Sequence, residues 1–209
     1  MLRRQLRPAI VLTVVLCVIT GLVYPGVVTG LAQLFFPRQA NGSLVTVNGR
    51  VVGSALIGQS FTQDWYFRTR PSAAGAGYDA TASSGTNKGP TDLKLADTLI
   101  AQAVAEAVKR DGAARGAIPT DMVTRSASGL DPHISPANAA LQVARVARAR
   151  GADSAAVRAL VDRHVEGRQF GIFGEPRVNV LLLNLALDSA FAHPNATASR
   201  SSSNDTSQH

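Results

Sequence analysis

The first residues with the look of chemistry are Ser83-Ser84-Gly85-Thr86-Asn87-Lys88-Gly89. Small, hydroxylated and basic side chains on a glycine-rich loop are the material of a phosphate cradle, which grips through backbone N–H groups and one lysine. That cradle also needs the order G-x-x-x-x-G-K-[ST], and here the lysine precedes its glycine. Composition without spacing reads as a polar surface loop. Nucleophilic catalysis has an equally thin basis. No G-x-S-x-G elbow occurs, and Ser84 can join Asp131 and His133 in a triad only through the fold. Asp131 ahead of Pro132 is more simply an Asx-type turn that leads into a helix.

Metal chemistry is excluded on similar grounds. His164 has no histidine three or four residues away, and reads as a packed or surface side chain. The single cysteine, Cys17, allows neither a cysteine-based metal site nor an intramolecular disulfide. Arg145, Arg148 and Arg150 lie on one helix and are expected to form a solvated basic face. With no aromatic residue among them, they do not make a nucleic-acid surface. The chain carries +7, yet residues 37–192 hold 17 Lys/Arg against 13 Asp/Glu. The sequons at Asn41, Asn195 and Asn204 matter only in a glycosylating host.

The elements that must position these residues follow from pattern. Leu44 to Val47 and Arg50 to Val52 flank Asn48-Gly49, the pair favoured where both central residues need positive φ, so a β-hairpin is expected. Its second strand is expected to run on through Ser54-Ala55-Leu56-Ile57-Gly58. Phe61 to Phe67 contributes an aromatic cluster to the core, and Arg70 to Pro90 is a long irregular loop. A helix is expected from Thr91 to Arg110, burying Leu93, Ala96, Leu99, Ile100, Ala103, Val104 and Ala107, and stopped by Asp111-Gly112. Met122-Val123-Thr124 reads as a short strand. Ser135 and Pro136 cap and open a second helix that buries Ala140, Val143, Ala144 and Ala147 and ends at Gly151. A third helix runs from Ser154 to Glu166 with Val157, Leu160, Val161 and His164 near one face. Phe170 to Phe173 reads as a strand, and Val178 to Phe191 as a buried helix. The fold class is α+β: residues 37–192 form one soluble domain, and residues 193–209 a polar, disordered tail.

Ala9 to Phe36 holds no charged residue. As a helix it is roughly 42 Å long, more than the about 30 Å of a bilayer's hydrocarbon core. A cleaved signal peptide has a shorter apolar run and small residues at its end; here the run ends in Phe35-Phe36. Residues 1–8 are thus a leader, with Pro8 suited to a first helical position, and residues 9–36 an uncleaved transmembrane helix. Arg3, Arg4 and Arg7 keep the leader in the cytoplasm and put residues 37–209 outside. Within the span, the ring of Pro25 crowds the carbonyl of Gly21. Gly26 and Gly30 form a small-xxx-small pair that lets another helix approach closely. Gly21, Pro25, Gly26 and Gly30 are therefore the expected helix-packing residues of a kinked span.

Longer strings carry a family resemblance. They include Leu6-Arg7-Pro8-Ala9, Tyr24-Pro25, Gln39-Ala40-Asn41-Gly42-Ser43, Gly53 to Gln59, Tyr66-Phe67, Arg70-Pro71-Ser72 and Ser84-Gly85 with Asn87. Further on come Ser126 to Asp131, Ile134-Ser135-Pro136, Arg145-Val146-Ala147, Val178-Asn179-Val180 and Leu183 to Asp188. In this order they resemble the C subunit of the Kdp-type potassium-transporting P-type ATPase, over nearly all of the chain except its tail. The resemblance implies a non-catalytic accessory subunit of a high-affinity potassium uptake complex in the bacterial plasma membrane. Its implied partners are a P-type subunit that hydrolyses ATP and a channel-like subunit that carries K⁺. It further implies a part in assembly and a catalytic-chaperone role that raises the P-type subunit's affinity for ATP, with Gln59 as the nucleotide contact and no metal in this chain. Charge asymmetry places Gln59 on the side away from cytoplasmic ATP. The alternative is thus an extracytoplasmic scaffold that shapes the potassium entrance without touching nucleotide, with Asp64 and Asp79 as candidates near the mouth.

Overall fold

The computed structural model describes residues 2–191. They fall into two compact units, one ending at Ser54 and the other beginning at Ala55.

The first unit is dominated by a helix long and apolar enough to cross a membrane, Arg4–Phe35, 32 residues with none of its apolar window buried. It starts as α1, Leu2–Val18. Pro8 therefore sits inside the helix and not at its first position, since a proline this near the end forfeits a single backbone bond. The turn Ile19–Val23 is π-helical and leads into α2, Tyr24–Phe35. The Tyr24 amide donates to the Ile19 carbonyl, five residues back. The wide turn lies just ahead of Pro25, where the ladder must absorb a missing donor and a bulky ring. A Cβ built on Gly21, Gly26 or Gly30 meets no atom within 4 Å. A short helix, α3 (Pro37–Ala40), follows. Asn41 exchanges side-chain hydrogen bonds with Gln33 at 3.2 and 3.4 Å.

Strands β1 (Leu44–Val47) and β2 (Arg50–Ser54) form the expected hairpin. Asn48 and Gly49 both take positive φ, +50° and +77°, as the tight turn requires. The second strand stops at Ser54, short of Gly58. There the Ser54 hydroxyl donates to the Gly42 carbonyl at 2.7 Å, and the chain turns.

The second unit packs helices on a small antiparallel sheet. A π-helical stretch, Lys94–Ile100, continues as α4, Ala101–Asp111, which Gly112 ends at φ +69°. The expected stripe is buried only towards its end: Leu93 and Ala96 are exposed, and Ala107 is buried. Thr120–Val123 is a helical turn, α5, where a strand was expected. Pro119 starts it, and Asp121 in its first turn favours a helix N-terminus. Next come β3 (His133–Ile134), α6 (Pro136–Arg150), α7 (Ser154–Arg163) and β4 (Val165–Glu166), then β5 (Arg177–Asn179) and α8 (Val180–Ala190). The sheet order is β3-β5-β4. The Ser135 hydroxyl accepts the Asn138 amide at 3.1 Å, Pro136 opens α6 and Gly151 ends it, as expected.

Other expectations shift. Phe170–Phe173 is not a strand: one bridge joins Gln169 to Phe173 across a tight turn. The apolar run from Val178 begins as strand, because the Asn179 side chain accepts the Leu182 amide at 3.2 Å and starts α8 only after itself. The buried face of α6 includes Ala139, Val143, Val146 and Ala147, whereas Ala144 is exposed. These residues meet Val157 and Val161 of α7, Val178 of β5, and Leu183 and Leu187 of α8 in one core around Phe67. The tail after residue 192, with Asn195 and Asn204, lies outside the described residues.

Candidate functional site

Trp65 to Arg68 is half-buried, with Phe67 fully buried, and lies in no strand, so its backbone groups need other satisfaction. Side chains of α6 and α8 supply it. Asn184 accepts the Phe67 N–H and donates to the Phe67 carbonyl, both at 2.9 Å. Gln142 does the same for Arg68, at 2.8 and 3.1 Å. Arg145 donates to the carbonyls of Tyr66, at 3.0 Å, and Asp64. Arg150 donates to the Trp65 carbonyl at 2.8 Å. The amide side chains thus act as substitute strands.

Behind this clamp the charges are paired. Arg145 Nε meets Asp111 Oδ1 at 2.7 Å, and Arg110 holds the other oxygen at 2.7 Å; the Asp111 side chain is fully buried. Arg150 meets Asp188 at 2.6 Å and lies 5.1 Å above the Tyr66 ring. The Tyr66 hydroxyl donates to Asp188 at 2.8 Å. Burial, reinforced by Asp188, pushes that hydroxyl above its usual pKa and keeps it a donor. The expected solvated arginine face is thereby corrected. Arg145 and Arg150 are buried, and only Arg148 faces outward. Both arginines lie on the arc of α6 that faces a segment short of hydrogen-bond donors.

A second layer ties the long loop to the turn at Ser126 to Asp131. The Ser72 hydroxyl donates to the Gly129 carbonyl at 2.6 Å and accepts the amides of Ala74 and Tyr78. The Tyr78 hydroxyl donates to the Arg70 carbonyl at 2.7 Å. The Ser84 amide donates to Ser128, and its hydroxyl to the Gly85 carbonyl. Space here is tight: a Cβ on Gly129, whose φ is +68°, falls 2.6 Å from both the Ala74 amide nitrogen and the Ser84 carbonyl oxygen. Asp121, which the sequence does not advertise, accepts from the Ser135 amide, the Ser135 hydroxyl and Asn138. Its only sequence signal is its place in the turn after Pro119.

The residues singled out from sequence fall as follows. Asp131 accepts the His133 amide at 3.0 Å, the expected Asx turn, and pairs with Arg70 at 3.2 Å. Gln59 is half-buried, and its carbonyl accepts the Thr69 hydroxyl at 3.0 Å. Asp64 pairs with Arg68 at 3.1 Å. Asp79 accepts the amide and hydroxyl of Thr81, and His164 Nδ1 contacts the Leu160 carbonyl at 2.8 Å. Among the described residues no three His, Cys, Asp or Glu side chains gather for a metal ion.

Burial acts to raise the pKa of Asp131, but hydrogen bonds from His133 and the charge of Arg70 outweigh it, and the carboxyl titrates below its usual range. A group depressed in the folded state contributes stability above its unfolded pKa, about 3.9, and loses it as pH falls through the folded value. Asp131→Asn is therefore expected to destabilise the chain at pH 7, with a penalty that shrinks below about pH 4. Urea unfolding of the detergent-solubilised chain across a pH series checks this; a penalty constant from pH 7 to 3 contradicts it.

Fold and site together define a chain with one helix fit to span a membrane and one α+β unit whose polar interior is spent on its own backbone. The family model described as K+-transporting ATPase, c chain, matches residues 6–189. The potassium-transporting ATPase KdpC subunit of Gemmatimonas aurantiaca is 64% identical over 190 residues, 90% of this chain and 94% of the relative. That of Myxococcus xanthus is 62% identical over 85% of this chain and 84% of its own, and that of Koribacter versatilis 54% identical over 90% and 95%. The chain belongs to the KdpC family, the c chain of the K+-transporting ATPase. Membership in a transport complex and the long apolar helix, the one such helix among the described residues, both point to the membrane. The strings behind the resemblance meet in the site: Gly58, Tyr66-Phe67, Arg70 to Ser72, Ser84-Gly85, Ser126 to Asp131, Arg145, Asn184 and Asp188 all belong to the contacts within this unit.

Proposed function

We propose that this chain is a non-catalytic accessory subunit of a high-affinity potassium uptake complex. In this reading its helix docks on partner subunits and its α+β domain lies outside, raising the P-type subunit's affinity for ATP by favouring one state of the pump. The observation that carries the reading is how the domain uses its reactive groups. Arg145 and Arg150 hold backbone carbonyls, and Asp131 binds Arg70 and its own turn. The Ser84 hydroxyl is given to the next carbonyl. Arg3, Arg4 and Arg7 ahead of the uncharged span support the outside placement. A domain on one side can alter affinity on the other through linkage between sites.

Direct ATP contact at Gln59 finds little support in the local geometry. The neighbouring Gly58 amide is spent on the Leu130 carbonyl at 2.8 Å. A Cβ on Gly58 would lie 2.5 Å from the Asp131 carbonyl oxygen, so a phosphate there faces an acceptor where a cradle needs donors. The second reading, a scaffold at the potassium entrance, rests on the exposed carboxylates Asp64 and Asp79.

Steady-state ATPase assays on complexes reconstituted with and without the chain test the proposal. Omission is expected to raise the KM for ATP, while Gln59→Ala leaves it at the wild-type value. If Gln59→Ala alone raises KM as omission does, direct contact replaces linkage. No change on omission removes the chaperone role and leaves the entrance scaffold.

A further inference from the structure

Among the described residues of the unit beginning at Ala55, five large hydrophobic side chains are exposed, and three of them are Phe170, Ile172 and Phe173. Phe170 is 92% exposed, Ile172 72% and Phe173 64%. Such a concentration on one turn is informative in a way that a single exposed leucine is not. The turn is also rigid. Gln169 and Phe173 exchange both backbone hydrogen bonds at 2.9 Å, and the Gly171 and Ile172 amides donate back to Arg168 and Gln169. Phe170 itself takes φ +54°, and Gly171 and Gly174 are also left-handed. A bulky aromatic residue in that region is held there against its own preference. Below the tip, Arg168 grips both oxygens of Glu175 at 2.8 and 3.0 Å, and Arg177 pairs with Glu166 at 3.1 Å. The stalk ends in β5, whose Val178 and Asn179 are buried.

We infer that the Phe170-Gly171-Ile172-Phe173 tip is a preorganised anchor that inserts into an apolar pocket on an extramembrane face of another subunit of the potassium-transporting ATPase. Aromatic side chains ringed by polar groups are the composition of a protein–protein hot spot, and their rigidity spares the ordering cost of binding. An anionic bilayer surface calls for uncompensated cations, and here both arginines are matched by glutamates. A second copy of this chain would need about 1,200 Å² of buried surface for a stable pair, beyond what one turn provides. A chain already held in the complex by its membrane helix needs far less, because the second contact forms at high effective concentration. The inference rests on the reading of the chain as a subunit among others, and not on which side of the membrane the domain lies.

The test uses the full chain in the assembled complex, in native membranes, with a benzophenone amino acid replacing Phe170. Irradiation is expected to give an adduct of this chain with another ATPase subunit, absent when the same probe replaces the exposed Arg158. Adding Ile172→Ala and Phe173→Ala is expected to weaken the contact roughly 30-fold or more, as losing hot-spot residues does, and to remove the adduct. Adducts only with lipid, only with a second copy, or no more abundant than at Arg158 overturn the inference while the subunits still co-purify. If the wild-type chain co-purifies with no other subunit, the accessory-subunit reading fails, and the inference with it.

Discussion

Arg145→Met is expected to cost the domain about 3–5 kcal/mol, the usual consequence of leaving one member of a buried ion pair without the other. Asp111 then keeps only Arg110, with its carboxylate fully enclosed. The carbonyls of Asp64 and Tyr66 and the Gln142 side chain each lose a donor as well. Methionine fills much of the volume, so the loss reports the polar contacts more than a cavity. Exposed Arg148 supplies the control, because Arg148→Met breaks no described ion pair and stays within about 0.5 kcal/mol of wild type. Denaturant unfolding of the detergent-solubilised chain reads both. Equal, small effects would mean that the clamp contributes little.

The second large effect concerns assembly. Gly26→Leu combined with Gly30→Leu is expected to reduce the recovery of partner subunits with this chain at least about tenfold, equivalent to about 1.4 kcal/mol of lost helix packing. The chain itself has room for both leucines, since nothing of its own lies within 4 Å of either new Cβ. Its soluble unit should therefore unfold at the wild-type denaturant concentration. Unchanged recovery would remove the small-residue face from the assembly account. Loss of recovery together with lost stability would point to misfolding.

Much of the fold was legible where local chemistry decides the outcome. Asn48-Gly49 dictated a turn, Ser135-Pro136 a helix start, and Gly112 and Gly151 helix stops, because each depends on a backbone conformation or cap that few residue types supply. Met122-Val123-Thr124 misled, since two apolar residues and a threonine fit a strand or a helical turn equally and Pro119 with Asp121 settles the matter from outside the run. The arginines of α6 were misread for a deeper reason. Spacing assigns a side chain to a helix face, but whether that face meets water or a backbone segment in need of donors depends on where Trp65 to Arg68 runs. That segment has no period of its own, so Asn184 and Gln142 looked like ordinary polar residues of their helices. The family strings marked the right residues without stating their work, which is to hold one another's backbones.

The proposed function has the chain cross the bilayer once with its α+β domain outside. The most direct measurement replaces the helix cysteine by Cys17→Ser, places a single new cysteine at the exposed Asp162, and treats intact cells with a membrane-impermeant maleimide. Full labelling before lysis, equal to that afterwards, is expected. Labelling that appears only once the membrane is broken would place the domain beside cytoplasmic ATP and contradict the outside placement.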